Sequence, residues 1–332
     1  MLYLDEEQVG ALLQWDELIP VMENALAEFS LGQVVQPVRN MLTVEEGKRY
    51  LGIMPAVAHE AMGAKLVSFF PGNEGTGTAT HHAMILLFRS DTGEPLAVMD
   101  GRLITEMRTA AVSAAVTKYL AAPDAHVLAL VGSGVQAHAH LRALSRVRHF
   151  DEIRVWSRTA AHAECFAEQH NAKAMPIADA VRGAGVIVTA TSALRPILQG
   201  DWLEPGAHVN AVGSPRPNWR ELDDRAMANI LVVDSRDAVL KESGDVILSG
   251  AEIYAEAGEI FAGKKAAPLS ETTVFKSVGL AIEDIATAKL VYDKAVRLVS
   301  AEVVHPRISE ERLRSIRQGE RPQALTSLAA LS

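Results

Sequence analysis

One cysteine, Cys165, stands among 332 residues, so an internal disulfide is impossible and a reducing, cytoplasmic setting fits. Cys165 itself reads as an inert helix residue. Aromatic residues are only 5% of the chain, and the formal net charge is −9. With no basic stripe and no interleaved aromatics, a nucleic-acid partner is not expected. No apolar run nears the roughly 18 residues that suggest a membrane span. The N-terminal Met1-Leu2-Tyr3-Leu4-Asp5-Glu6-Glu7 turns acidic at once, which is not the pattern of a secretory signal. Metal-ligand spacing is missing too, because His138 and His140 lie two apart in a helical stretch and cannot share a face. Nor is there a G-x-S-x-G elbow. What remains is an ordinary globular composition, 48% hydrophobic and 22% charged, in a chain long enough for two cores.

The strongest positive signal lies in residues 127–137, Val-Leu-Ala-Leu-Val-Gly-Ser-Gly-Val-Gln-Ala. Val127 to Val131 is a short, β-branched apolar run that predicts a buried parallel strand, and Gln136 to Arg146 predicts a helix. Between them, Gly132-Ser133-Gly134-Val135-Gln136-Ala137 is a dinucleotide fingerprint in its required strand–turn–helix context. Gly132 permits the tight turn, Gly134 lets the backbone approach a pyrophosphate, and Ala137 takes the third glycine's place. The helix N-terminus adds unpaired N–H groups and a partial positive charge. The next strand, 153–156, ends at Ser157-Arg158-Thr159. NAD-specific sites carry an acid there, whereas a guanidinium with two hydroxyls suits a 2′-phosphate. NADPH is therefore the expected cofactor, with NADH as the weaker alternative.

Ahead of this fold, Asp5 and Gln8 have capping-box spacing and residues 16–29 have helical periodicity. Strand-like runs follow at 41–44, 50–54 and 64–70. A hairpin joins 84–88 to 95–99 through Asp91-Thr92-Gly93, with His81 and His82 preceding it. A helix over 105–120 leads into the fingerprint strand. These features predict an α+β domain over residues 1–118. From Val127 onward, strands at 127–131, 153–156, 186–190, 208–212, 230–233 and 273–277 alternate with helices, the pattern of a doubly wound parallel (Rossmann) α/β sheet. Thr189-Ala190-Thr191, Val212-Gly213 and Ser277 lie at strand ends, where such sheets bind ligands, and join the cofactor candidates. A long helix over 280–300 is expected to pack back on the first domain. The expected division is 1–118 with 280–332 for substrate binding and dimerisation, and 119–279 for NAD(P).

Three cations interrupt apolar segments: Arg39 after Pro37-Val38, Lys65 within Gly63-Ala64-Lys65-Leu66-Val67, and Arg108 within Glu106-Met107-Arg108-Thr109-Ala110-Ala111. A carboxylate substrate would supply the missing charge, and an arginine can grip it bidentately. Surface arginines and a lysine snorkelling to water are the alternative these residues leave open. Neighbouring strand residues face opposite ways, so at most one of His81 and His82 faces a given pocket, as a proton relay or as a structural residue.

Long collinear strings add a further observation. Gln36-Pro37-Val38-Arg39, Tyr50-Leu51-Gly52-Ile53-Met54-Pro55-Ala56, Arg108-Thr109-Ala110-Ala111-Val112-Ser113, Pro205-Gly206-Ala207-His208-Val209-Asn210-Ala211-Val212-Gly213, Trp219-Arg220-Glu221-Leu222-Asp223-Asp224 and Leu240-Lys241-Glu242-Ser243-Gly244-Asp245 are the main ones. By these the chain resembles the ornithine cyclodeaminase/mu-crystallin family, and within it the mu-crystallin-like ketimine reductases. The resemblance implies a homodimer and places Arg39, Lys65 and Arg108 around the substrate carboxylate and nicotinamide. It also puts Arg108-Thr109 near the cofactor phosphates. Cyclodeaminases of the family carry an aspartate two residues after the Asn-Ala-Val-Gly glycine; here Gly213 is followed by Ser214 and Pro215. The ketimine reductases also lack that acid and have a small hydroxyl residue, which in this chain stands one place earlier, on Ser214. The implied activity is NADPH-dependent reduction of cyclic imine carboxylates such as Δ1-pyrroline-2-carboxylate and Δ1-piperideine-2-carboxylate. Solvent, His81 and Lys65 stand as proton sources. An ornithine cyclodeaminase, or a small-ligand binder without turnover, are the competing expectations.

Overall fold

A computed structural model describes residues 1–304 except 47, 59, 60 and 74. Met1–Val291 form one compact unit, and the chain from Tyr292 is a second. Residues 305–332, the end of the stretch assigned with 1–118 to substrate binding and dimerisation, lie outside the described residues.

The first sheet has six strands: β1 (Leu2–Leu4), β2 (Asn40–Glu45), β3 (Arg49–Ala58), β4 (Ala61–Phe69), β5 (His81–Arg89) and β6 (Pro95–Asp100), in the order β1-β6-β5-β4-β3-β2. β2 to β6 form an antiparallel meander, and β1 pairs parallel to β6. Two expectations need correcting here. Leu2–Leu4 is a strand that the sequence reading missed, and His81 and His82 lie inside β5 rather than ahead of it. Register puts Tyr50, Phe69 and His81 in one cross-strand row, with Met54 opposite Lys65 on the same face.

Two of the next three helices, the first and the third, pack on this sheet, and the second packs on the third. The capping box predicted at Asp5 is present, with Asp5 accepting from the Gln8 N–H and Gln8 from the Asp5 N–H, and it starts α1 (Glu6–Leu12). α2 spans Trp15–Ser30, and α3 spans Arg102–Leu120. α3 is the spine of the molecule. Its run of Ala, Ser, Thr and Val is buried almost all round, because small side chains let other elements approach closely.

The second sheet is all parallel. Its strands are β7 (Val127–Val131), β8 (Glu152–Trp156), β9 (Lys173–Ala174), β10 (Val186–Thr189), β11 (His208–Ala211), β12 (Ile230–Val233), β13 (Ile253–Glu256) and β14 (Thr273–Lys276). The order β13-β12-β14-β11-β10-β7-β8-β9 is doubly wound, with its switch point between β7 and β10. Helices α4 (Val135–Leu144), α5 (Ala160–His170), α6 (Ile177–Val181), α7 (Asp224–Met227), α8 (Arg236–Glu242), α9 (Gly244–Ser249) and α10 (Ala257–Phe261) connect the strands. β7 is buried at every residue, as a strand covered on both faces must be. Two side-chain bonds lock α3 to this half: His140 Nε2 with Ser113 Oγ at 2.9 Å, and Asn210 Nδ2 donating to Thr117 Oγ1 at 3.0 Å. The last helix, α11 (Ala281–Val304), starts against the first sheet, where a Cβ on Gly63 would meet Ile285 at 2.7 Å. The return of this helix to the first part of the chain is therefore observed for its opening turns.

Candidate active site

At the switch point the chain leaves β7 through Gly132, whose φ of +122° suits only glycine, and whose N–H donates to the Trp156 carbonyl at 2.8 Å. A Cβ there would lie 2.6 Å from the Ala190 carbonyl oxygen, so the loops after β7 and β10 touch. Gly134 differs: nothing lies within 4 Å of its missing Cβ, which leaves open space ahead of the α4 N-terminus. A cavity of about 640 Å³ opens at this point. Its walls include Gly132, Ser133 and Gly134 on one side, Ser157, Arg158 and Thr159 on another, and Ala190 and Thr191 on a third. Of the sequence candidates for cofactor binding, these line this cavity, whereas Arg108, Thr109, Val135, Gln136, Thr189, Val212, Gly213 and Ser277 are not among its lining residues. Arg158 is exposed there and has no ion pair among the described residues. Val135 is exposed at the start of α4, and the buried Gln136 Oε1 has no hydrogen-bond partner.

Beyond that cavity the strand ends are clamped by a residue that sequence reasoning missed. Glu221 is fully buried and accepts from Thr189 Oγ1 at 2.7 Å, Thr191 N at 2.7 Å, Thr191 Oγ1 at 2.6 Å and Gly213 N at 3.0 Å. It joins the ends of β10 and β11 through one carboxylate. Burial raises its pKa, while the nearby Lys276 opposes the rise. Lys276 Nζ donates to the Gly213 carbonyl at 2.7 Å and pairs with Asp245 at 2.9 Å. Several candidate hydroxyls are consequently engaged by the protein. Those of Thr189 and Thr191 bind Glu221, and that of Thr109 bonds the Thr105 carbonyl. Ser277 donates to Asp234 at 3.0 Å, and Ser214, at φ +50°, donates to the Ala193 carbonyl at 2.6 Å. Ser214 is fully buried, so its hydroxyl braces the turn instead of facing open space.

The three cations singled out by the sequence form one electrostatic group with protein carboxylates. Lys65, 2% exposed, pairs with Asp284 at 2.6 Å. Arg108 donates from Nε to Asp284 at 3.0 Å and from Nη1 to Glu283 at 2.5 Å. Arg39 pairs through Nε with Glu242 at 2.9 Å and donates to the carbonyls of Val278 and Gly279. Those carbonyls are presented by a loop that Asp234 holds, accepting from the N–H groups of Val278 and Gly279, both at 2.7 Å. Burial lowers the Lys65 pKa to about 8; Asp284 resists this, and the charges of Arg108 and Arg39 add to it. Burial raises Glu283 to about 7. The lysine therefore does not snorkel to water, and each cation already faces a carboxylate.

His81 stacks on Phe69, with ring centroids 4.4 Å apart, and its Nδ1 meets Thr80 Oγ1 at 3.2 Å. Desolvation against its neighbours, then the charges of Arg216 and Lys65, hold its imidazole below the ordinary range. Arg216 is a fourth cation that the sequence reading passed over. Its guanidinium lies 4.2 Å from the Tyr50 ring centroid and 5.4 Å from that of Phe69. No group of three or more potential metal ligands occurs among the described residues. No described helix is long and apolar enough to cross a membrane.

Residues 2–298 match the sequence profile of the ornithine cyclodeaminase/mu-crystallin family. The ketimine reductase mu-crystallin of Mus musculus is 50% identical over 301 residues, covering 88% of this chain and 96% of that protein. Among solved structures, Thermococcus litoralis Δ1-pyrroline-2-carboxylate reductase in complex with NADH and L-proline superposes with a TM-score of 0.85. It is 37% identical and covers 90% of this chain and 98% of its own. An archaeal alanine dehydrogenase dimer with bound NAD gives a TM-score of 0.84 at 33% identity, over 90% of this chain and 96% of its own.

Proposed function

The chain belongs to the ornithine cyclodeaminase/mu-crystallin family, and we propose that within it the protein is an NADPH-dependent reductase of cyclic ketimine carboxylates. Its substrates are Δ1-pyrroline-2-carboxylate and Δ1-piperideine-2-carboxylate, and its products L-proline and L-pipecolate. The observation that carries this reading is the sequence Gly213-Ser214-Pro215 at the end of β11, where ammonia chemistry would require an acid. Pro215 offers no proton carrier, while the strand ends that present a nicotinamide are fully built.

The site residues fit the group. Gly132, Gly134 and the α4 N-terminus would hold the pyrophosphate, and Arg158 between Ser157 and Thr159 would take the 2′-phosphate. The cofactor supplies a hydride when bound; the protein supplies position and charge. A protonated cyclic imine is already electrophilic, so orientation is the main task. Arg39, Lys65 and Arg108 form a rigid cationic wall for it. Solvent, His81 and Lys65, whose pKa burial lowers to about 8, are the candidate proton donors. Residues 1–118 with the start of α11 form the substrate and dimerisation part, and 119–279 the NADPH part. The protein works as a cytoplasmic homodimer.

Purified protein mixed with NADPH and Δ1-pyrroline-2-carboxylate should consume both and form L-proline. Ammonia release from ornithine with NAD⁺, and no turnover of the imine, would instead assign a cyclodeaminase. Tight NADPH binding with neither reaction would assign a binder.

A further inference from the structure

Glu242, Glu283 and Asp284 pair with Arg39, Arg108 and Lys65, but Asp234, fully buried near them, pairs with no cation among the described residues. Its oxygens accept from four hydrogen-bond donors instead. Oδ1 accepts from Ser235 N at 2.8 Å, and Oδ2 from Ser277 Oγ, Val278 N and Gly279 N. A buried carboxylate that joins three successive residues of another segment fixes the shape of that segment. The turn that follows β14 is thereby tied to the end of β12.

Two of the substrate-side cations are seated on this turn. Arg39 donates from Nη2 to the carbonyls of Val278 and Gly279, the latter at 2.8 Å. Its Nε pairs with Glu242 at the far end of α8, the helix that begins two residues after Asp234. Both grips on Arg39 thus start from Asp234. Arg108 lies against Gly279 itself. A Cβ there would stand 2.6 Å from Arg108 Nη1 and 2.9 Å from Nη2, and the φ of +82° also calls for glycine. Held this way, Arg39 Nη1 and Arg108 Nη2 have no hydrogen-bond partner among the described residues. Those are the donors left for a ligand carboxylate. The charge of Asp234 also acts on Glu242 and Glu283, so it stands close behind both ion pairs.

We propose that Asp234 is a positioning residue for the substrate carboxylate. Through the turn over residues 277–279 it sets where the free N–H groups of Arg39 and Arg108 stand, without touching the substrate itself. A guanidinium grips a carboxylate in two places only when its own head is held to within about half an ångström, and the turn supplies that support. Arg39 and Arg108 keep the gripping role that the reductase reading gives them. Asp234 fixes their aim.

The proposal rests on the reductase reading, and the full chain tests the two apart. Three quantities are compared: KM for Δ1-pyrroline-2-carboxylate, L-proline affinity by calorimetry with NADP⁺ present, and NADPH affinity by fluorescence titration. Asp234→Asn keeps the shape but turns one acceptor into a donor. It should weaken the first two about tenfold and leave kcat and NADPH affinity within about twofold of wild type. In the double variant with Arg39→Ala the two losses should combine to clearly less than their product, because Asp234 acts through a residue already gone. Gly279→Ala leaves Asp234 bonded and displaces the Arg108 head. It should give the same selective loss, and it carries the test if Asp234→Asn does not fold. Unchanged KM and L-proline affinity in a folded variant overturn the proposal. So do losses that multiply fully in the double variant, or a fall in NADPH affinity as large as that for the imine. A wild-type protein that binds L-proline but reduces no imine would sink the reductase reading instead, and the variants' L-proline affinities would still decide the role of Asp234. A wild-type protein that does neither ends both.

Discussion

On the parallel sheet the proposed cofactor cradle is made of backbone: Gly132, Gly134 and the first N–H groups of α4, placed where β7 and β10 part. By the first sheet the proposed substrate wall is made of side chains from distant segments. Lys65 of β4 and Arg108 of α3 share Asp284, and Arg39 pairs with Glu242. A backbone cradle is stable before any ligand arrives and fails only when its steric allowance is removed. A wall of buried charges is stable only while every partner is present, because a lone buried ion loses its hydration without compensation. The two halves should accordingly break in different ways: the charged wall in stability, and the cradle in affinity, with stability lost only where its backbone is tightly packed.

The largest effect is expected on the charged side. Asp284→Ala leaves Lys65 without its ion pair and Arg108 with Glu283 alone, and should cost about 3–5 kcal/mol in urea denaturation. On the cradle side, Gly132→Ala places a methyl against the Ala190 carbonyl at an unfavourable φ and should cost about 2–4 kcal/mol as well as cofactor binding. Gly134→Ala sharpens the contrast. Its methyl meets nothing in the free protein, so the denaturation midpoint should hold while NADPH affinity, read by fluorescence titration, falls at least about tenfold.

His140, between α3 and α4, reports on the seam that joins the halves. Burial holds its imidazole down to about 4, against an ordinary 6.5, although its bond to the Gln136 carbonyl opposes this. Between those values the unfolded chain binds more protons than the folded one. Stability should therefore be full above about pH 6.5 and fall as pH drops toward 4, by up to about 3 kcal/mol from this residue. His140→Gln should flatten that part of the pH–stability curve, and an unchanged slope would remove His140 as its source. The most confined effect belongs to Arg158→Ala. It should weaken NADPH binding by about 1.5–3 kcal/mol and leave NADH and the denaturation midpoint nearly unchanged. Equal loss with both cofactors would show that Arg158 does not read the 2′-phosphate.

The same contrast explains what the sequence revealed. The fingerprint, its strand and helix, and Ser157-Arg158-Thr159 are contiguous, so local pattern was enough to place them around one cavity. Six strands of the parallel sheet were legible as short, mostly apolar runs between turn residues, with β7 apolar at all its positions, whereas β9, only Lys173–Ala174, and β13, Ile253–Glu256, were missed because each is too short and polar to stand out. Lys65 was visible as a charge inside an apolar strand, but its partner Asp284 lies beyond the whole cofactor fold, and no local signal links the two. Arg216 was hidden by its setting between two prolines, which reads as an ordinary loop; only the aromatic row under it gives it meaning. Glu221, within Trp219-Arg220-Glu221-Leu222, carries no local signal of its role. Its four hydrogen bonds converge from two other segments, the ends of β10 and β11, and such convergence is a property of the fold. β1 was missed because three residues pairing parallel to β6 carry no periodicity of their own.

The central claim is that the two halves bring nicotinamide C4 and an imine carbon together for hydride transfer, with no ammonia released or captured. Isotope transfer tests it directly. With NADPH deuterated at C4 on the transferred face and Δ1-pyrroline-2-carboxylate as substrate, mass spectrometry should find L-proline carrying one deuterium at its α-carbon, and no ammonia in solution. Proline without deuterium, or ammonia formed from ornithine by the same protein, would contradict it.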